Sequence, residues 1–214
     1  MKTPFSVHLP HVKQPAFIKI SAGVVLLGLF AFLFVRSLHD TRTEPYTVPP
    51  QHLRTWTLAL EHASNPNDPV LVLRPVAELA SGLFKQIFAR SMESLNTPTA
   101  PALSVVLKSE FDRDVGDQMP ADALVAAARA AGVESAPTPR CLVQRRVSVP
   151  GRTRQVYFVS FDAPAIVQFR RQLGLDSEAL SPIVFVAGAD ADFNSWLPLR
   201  VSETDCLAPI DIGD

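Results

Sequence analysis

The run Ala16–Val35, AFIKISAGVVLLGLFAFLFV, constrains this chain more than any other feature. Its twenty residues carry one charge, Lys19, and from Ile20 onward they leave no polar stripe. A helix apolar on every side must be buried in a large core or in a bilayer. At 1.5 Å per residue, twenty residues reach about 30 Å, the thickness of a bilayer hydrocarbon core. Lys19 lies near the start, where its stem can carry the ammonium back to the headgroups. The expectation is a transmembrane signal-anchor helix over 16–36, with lipid as the partner of residues 16–35. A cleaved signal peptide is the nearer rival. The apolar stretch is long for that role, and Val35 with Ser37 makes a poor cleavage site.

Around this segment the chain divides into a short basic tail over 1–15, a proline-containing linker over 37–51 and a soluble domain over 52–214. Orientation turns on the charges that flank the helix core. Lys2, Lys13 and Lys19 precede the helix core, and Arg36, Arg42 and Arg54 follow it, so the positive-inside count nearly ties. The expectation is a single-pass inner-membrane protein with its C-terminal domain periplasmic or extracellular; a cytoplasm-facing adaptor stays open. The net charge of −1 hides an asymmetry. Residues 1–40 carry Lys2, Lys13, Lys19 and Arg36 against Asp40, which leaves −4 on the rest. An acidic domain lacks the footprint of a nucleic-acid binder, so no nucleic-acid partner is expected.

The soluble part alternates strand and helix patterns. Arg54–Leu60 alternates with Trp56, Leu58 and Leu60 on one face, Val70–Leu73 is a short apolar run, and Leu79, Leu83 and Ile87 mark a helix over 76–95. Leu103–Leu107 reads as a strand and Ala121–Ala131 as a helix after Pro120, stopped at Gly132. Arg140–Val149 and Arg154–Phe161 read as a hairpin about Pro150-Gly151, a pair suited to a type II turn, with VYFVSF in the sheet centre. A helix over 164–173 and the strand PIVFVA follow, and from Asn194 the chain reads as a short turn or helix and then an irregular or extended stretch through Cys206. The order predicts an α/β or α+β fold: one mixed-sheet domain with about three helices.

Chemistry-bearing residues are few. All five histidines, His8, His11, His39, His52 and His62, precede residue 63, so most of the domain has no imidazole. There is no nucleophile elbow, no His-Glu-x-x-His, no Cys-x-x-Cys and no glycine-rich phosphate loop. Asp190, Asp192 and Asn194 have the one-three-five spacing of a calcium loop, but Ser195 and Val201 stand where its Gly and Glu belong. Asp112, Asp114 and Asp117 fail at the same end. Neither metal nor cofactor is expected. Asp162 with Asp190 is a conceivable carboxylate pair for hydrolysis. Cys141 and Cys206, the chain's two cysteines, suit a disulfide in an oxidising compartment; separate buried thiols are the alternative.

Five arginines, 140, 145, 146, 152 and 154, stand without an acid between them, and Arg170 and Arg171 follow. Arg145, Arg146, Arg152 and Arg154 are the candidate contacts for an anionic partner, although alternation puts Arg145 beside Val143 and Val147, a place for a partly buried and paired side chain. The competing reading, protection of an exposed strand edge by charge, is the stronger on sequence alone. Together these residues point to a non-catalytic interaction or scaffold module of the cell envelope with a possible protein partner there. An anchored hydrolase using carboxylates is the alternative.

Overall fold

The computed structural model describes residues 25–36, 44–197 and 199–213, without the side chains of Arg152 and Glu203. The chain forms two compact units, Met1–Thr43 and Glu44–Asp214. In the first, residues 25–36 are helical (α1), and the large apolar side chains from Val25 to Val35 are more than half exposed. Among the described residues no helix is long and apolar enough to cross a membrane. The rest of the apolar run, with Lys19, lies outside the described residues, as do the basic tail and linker residues 37–43.

The second unit is a mixed α/β fold on one eight-stranded sheet. Its elements are β1 (Tyr46–Thr47), α2 (Gln51–Arg54), β2 (Trp56–Leu60), β3 (Pro69–Pro75), α3 (Ala77–Ser91), β4 (Leu103–Leu107) and α4 (Lys108–Glu110). A π-helical turn, Phe111–Val115, leads to α5 (Ala121–Ala130), β5 (Thr138–Val149), β6 (Arg152–Asp162), α6 (Pro164–Gln172), β7 (Ile183–Gly188) and β8 (Cys206–Asp211). The strand order is β1-β8-β5-β6-β7-β4-β3-β2. Only β1 and β8 run parallel; every other neighbouring pair is antiparallel.

Side chains alternate across the pleat, so the sheet feeds two cores. Leu71, Leu73, Leu103, Val105, Val159, Phe161, Val184 and Val186 point to the face covered by α3, α5 and α6. Val143, Val156, Phe158, Ile183 and Phe185 point to the other face, where Trp196 and Leu197 cover them. The expected central strand is β6, fourth of eight. Its turn is as expected too: Val149 pairs with Arg152 around Pro150 and Gly151, and Gly151 has φ +82, the left-handed conformation that position needs.

Several expectations are corrected. The linker expected over 37–51 is folded from Glu44 onward. Tyr46, Val48 and Leu53 are buried, β1 pairs Tyr46 with Ile210, and Gln51–Arg54 is helical. The prolines there break the periodicity of a segment that is nonetheless anchored by its apolar residues. The three expected helices are α3, α5 and α6, but short turns bring the helices to about six. α3 stops at Ser91, not Leu95, because Met92 adopts the left-handed conformation, φ 53, and its amide donates to the Phe88 carbonyl. The C-terminal stretch opens with the expected helical turn, Asn194–Trp196, and its extended part is a paired strand, β8, from Cys206 on. The basic hairpin is not a free edge either, since β5 lies between β6 and β8, and β6 between β5 and β7. Only the hairpin end, beyond Val143 and Val156, runs past the neighbouring strands.

Candidate functional site

The arginines of the hairpin meet acids of the same domain. Arg145 Nη2 donates to Asp205 Oδ2 at 2.7 Å and to the Arg200 carbonyl at 3.3 Å, while its Nε is enclosed without a partner. Hydrogen bonds from the Ser202 amide and hydroxyl, with the Arg145 charge, hold Asp205 below the usual carboxylate range. Arg146 Nη2 reaches Glu93 Oε1 at 3.0 Å. Arg154 Nε donates to Asp190 Oδ2 at 2.8 Å, its Nη2 donates to Ser195 Oγ at 2.8 Å, and its guanidinium lies 4.9 Å from the centre of the Trp196 ring. Arg152 pairs in β6, and its side chain lies outside the described residues. The expected anionic contact thus contains three neutralised side chains, which together lock the hairpin to the end of α3 and to the loops flanking β7 and β8.

Glu93 is the centre of a second polar knot. It accepts from Arg146, from Gln155 Nε2 and from the Tyr157 hydroxyl at 3.1 Å. Burial, and then the Glu93 charge, push the Tyr157 phenol up to about 12. Nothing in the sequence marks these residues as partners, because Glu93 follows a helix and Tyr157 is one aromatic in an apolar strand.

The carboxylates of the two acidic loops are engaged within the domain. Asp190 is committed to Arg154, Asp192 Oδ1 accepts the Ser195 amide at 3.3 Å, and Asn194 Nδ2 donates to Asp68 at 2.9 Å. Asp112 pairs with Lys108 and Asp114 with Arg113. Among the described residues no group of three or more His, Cys, Asp or Glu could hold a metal ion. Nor do Asp162 and Asp190 converge. Arg154 holds Asp190 at the hairpin end of β6, and Asp162 ends that strand eight residues on. Eight residues of strand span about 26 Å, whereas paired glycosidase carboxylates stand roughly 5–10 Å apart.

Cys141 and Cys206 form a disulfide, with Cα atoms 5.7 Å apart, that joins β5 to β8. Among the described residues there is no free cysteine.

The sheet face away from the helices is left open over β3 and β4, and a cleft of about 210 Å³ forms there. Val72, Ser104 and Phe185 floor it, Pro98–Ala102 and Phe193–Leu197 wall it, and Glu61, His62, Asp68 and Arg74 stand at its rim. The floor follows from register: Val72 pairs with Ser104, and β4 meets β7 through Leu103 and Val184. Glu61 and Arg74 form an ion pair across the β2–β3 edge. Asp68 accepts from the Ser64 and Asn65 amides and from the side chains of Asn65 and Asn194. Partial burial opposes ionisation, but these donors outweigh it and hold Asp68 below its usual range. Ser104 and His62 share the cleft, yet among the described residues no hydrogen bond joins them and both acids are occupied. The cleft thus combines apolar Val72 and Phe185 and polar Ser104 in its floor with a rim whose two acids are held by partners of the same domain.

His52 is half-buried beside Val48, Leu79 and Leu83, with its Nδ1 enclosed and unpartnered.

No family model, curated protein or solved structure matches the chain.

Proposed function

We propose that this chain is a membrane-anchored binding module of the cell envelope. Residues 16–35 lie in the bilayer, the unit from Glu44 onward lies in an oxidising compartment outside the cytoplasm, and the cleft over β3 and β4 takes a protein partner. The observation that carries the reading is the Cys141–Cys206 disulfide, because such bonds persist in the periplasm or outside the cell and are rare in the cytosol. Two further observations support it. The described part of the apolar run is helical with apolar side chains around its whole surface. The cleft holds its charged groups in internal pairs, an arrangement that recognises shape more than it performs proton transfer.

Protease accessibility of the domain in spheroplasts, with non-reducing peptide mapping of the same sample, tests the placement. Digestion from outside together with a linked Cys141–Cys206 peptide is the expected result. Protection with two free thiols would overturn it in favour of a cytoplasm-facing adaptor. Partner capture with Phe185→Asp, set against the unaltered chain, tests the cleft: equal capture would remove it as the binding surface.

A further inference from the structure

The geometry points to a second membrane contact: the outer face of the C-terminal half of α3 rests on the lipid surface, with Phe88 and Met92 entering the interface. The inference rests on the anchored reading and extends it, since a tether alone would leave the domain free to turn.

α3 buries Leu79, Ala80, Leu83 and Ile87 against the sheet. On the opposite side Phe88 is 51% exposed and Met92 84% exposed, and Phe88 stacks on the half-buried Phe84 with ring centres 6.3 Å apart. Phe84 and Phe88 follow the i, i+4 spacing and make one stripe along the last turns of the helix, and Met92 stands exposed at the cap directly beyond it. Lys85, also exposed, stands beside it. Met92 is the one non-glycine residue with positive φ among the described residues. That conformation is disfavoured for an L-residue with a Cβ, and glycine or asparagine is the usual solution at a helix end. A large apolar side chain is thus held, under strain, in the open.

The position of this stripe identifies its occupant. In the same last turn of α3, Arg90 donates to the carbonyls of Glu44 and Pro45 at 2.7 and 3.1 Å, and its guanidinium lies 4.0 Å from the centre of the Tyr46 ring. The chain therefore enters the domain at this end of α3. Residues 37–43, seven in all, separate the apolar helix from Glu44, and such a length extends no more than about 25 Å. Aromatic and long apolar side chains flanked by lysine are the composition of a surface that lies in a headgroup layer. Of the acids at this end, Glu93 is turned to Arg146, Gln155 and Tyr157, Glu44 lies where the chain enters beside Arg90, and Glu78 stands more than two turns back along the helix.

The test uses the full chain reconstituted in vesicles of brominated phosphatidylcholine and phosphatidylglycerol. Phe88→Trp and Met92→Trp are each compared with Val147→Trp, a site on the other face of the sheet, after subtraction of the parent fluorescence of Trp56 and Trp196. An interfacial side chain sits about 5–10 Å into the headgroup boundary, so roughly twofold quenching is expected at 88 and 92 and little at 147. A chain that floats with the vesicles and resists alkaline extraction, yet shows no quenching at 88 or 92, overturns the contact and leaves the anchor standing. Equal quenching at all three sites overturns it as well. A blue shift at 88 without quenching assigns the stripe to a second copy of the chain instead. A chain that fails to float removes anchor and contact together.

Discussion

Arg170 and Glu110, 60 residues apart in the chain, form an ion pair sealed inside the domain. Arg170 Nη2 donates to Glu110 Oε1 at 2.6 Å and to the Asp176 carbonyl at 2.7 Å, and Nη1 donates to Glu110 Oε2 and the Val105 carbonyl. The arginine is 1% exposed, and Glu110 also accepts the Leu107 amide. One guanidinium thereby fastens α6 to the end of β4 and to the turn that follows it.

Removing either partner strands the other charge in the core. Arg170→Met or Glu110→Gln should lower the unfolding free energy by about 3–5 kcal/mol, read as a shifted denaturant midpoint. The double variant should cost less than the sum of the two. Additive losses would mean that the pair contributes nothing beyond packing.

The Cys141–Cys206 bond closes a loop with a sequence separation of 65. A loop of that size is worth roughly 4 kcal/mol in the chain-entropy account. Cys206→Ser should lose stability on that scale, and its amide exchange should rise first in β8 and in β1, whose pairing depends on β8. Exchange that rises uniformly across the sheet would argue against this local release.

Both tyrosines of the chain resist ionisation: burial raises Tyr46, opposed by Arg90, and burial and Glu93 raise Tyr157 to about 12. The folded state keeps these protons longer than the unfolded chain, whose tyrosines titrate near pH 10. Stability from this source is therefore complete below pH 10 and falls as the pH climbs toward 12. Tyrosinate absorbance should appear late and together with unfolding. A titration near pH 10 with the fold intact would refute the buried environment.

Met92→Gly should raise stability by about 0.5–1 kcal/mol, because the strain of the left-handed residue outweighs the added freedom of glycine in the unfolded chain. A thermal melt is sufficient to read it. A loss of stability would show that Met92 packs on its own domain.

Arg154→Asp should loosen the loop after β7, which Arg154 holds through Asp190 and Ser195. The exchanged pair, Arg154→Asp with Asp190→Arg, should recover part of the loss. Exposed pairs are worth about 0–1 kcal/mol, and this half-buried one belongs at the upper end. Proteolysis of the 188–197 segment is the sensitive measurement.

Much of the architecture was legible because burial writes periodicity. VYFVSF announced a strand covered on both faces, Leu79, Leu83 and Ile87 announced α3, and Pro150-Gly151 announced its turn. The entry segment was illegible for the opposite reason: Tyr46, Val48 and Leu53 are spaced by prolines and follow no repeat, so anchoring residues read as a spacer. Charge was misleading wherever its partner was distant in sequence. The partner of Arg170 was illegible because Glu110 is 60 residues away, and although alternation beside Val143 and Val147 marks Arg145 as paired, nothing names Asp205 as its partner or Glu93 and Asp190 as those of Arg146 and Arg154. The cleft had no sequence signature at all, since its floor is a coincidence of register among β3, β4 and β7.

The parallel pairing of β1 with β8 has a mechanical meaning. Tension applied to the chain at Glu44 meets the Arg90 clamp first, then the two-residue pairing of β1 to β8. Beyond that point the next link is covalent, because β8 is bonded through sulfur to β5 in the middle of the sheet. A pull from the N-terminal side is therefore carried into the centre of the domain along its strongest line. That line lasts as long as the two-residue pairing of β1, which is its weakest link.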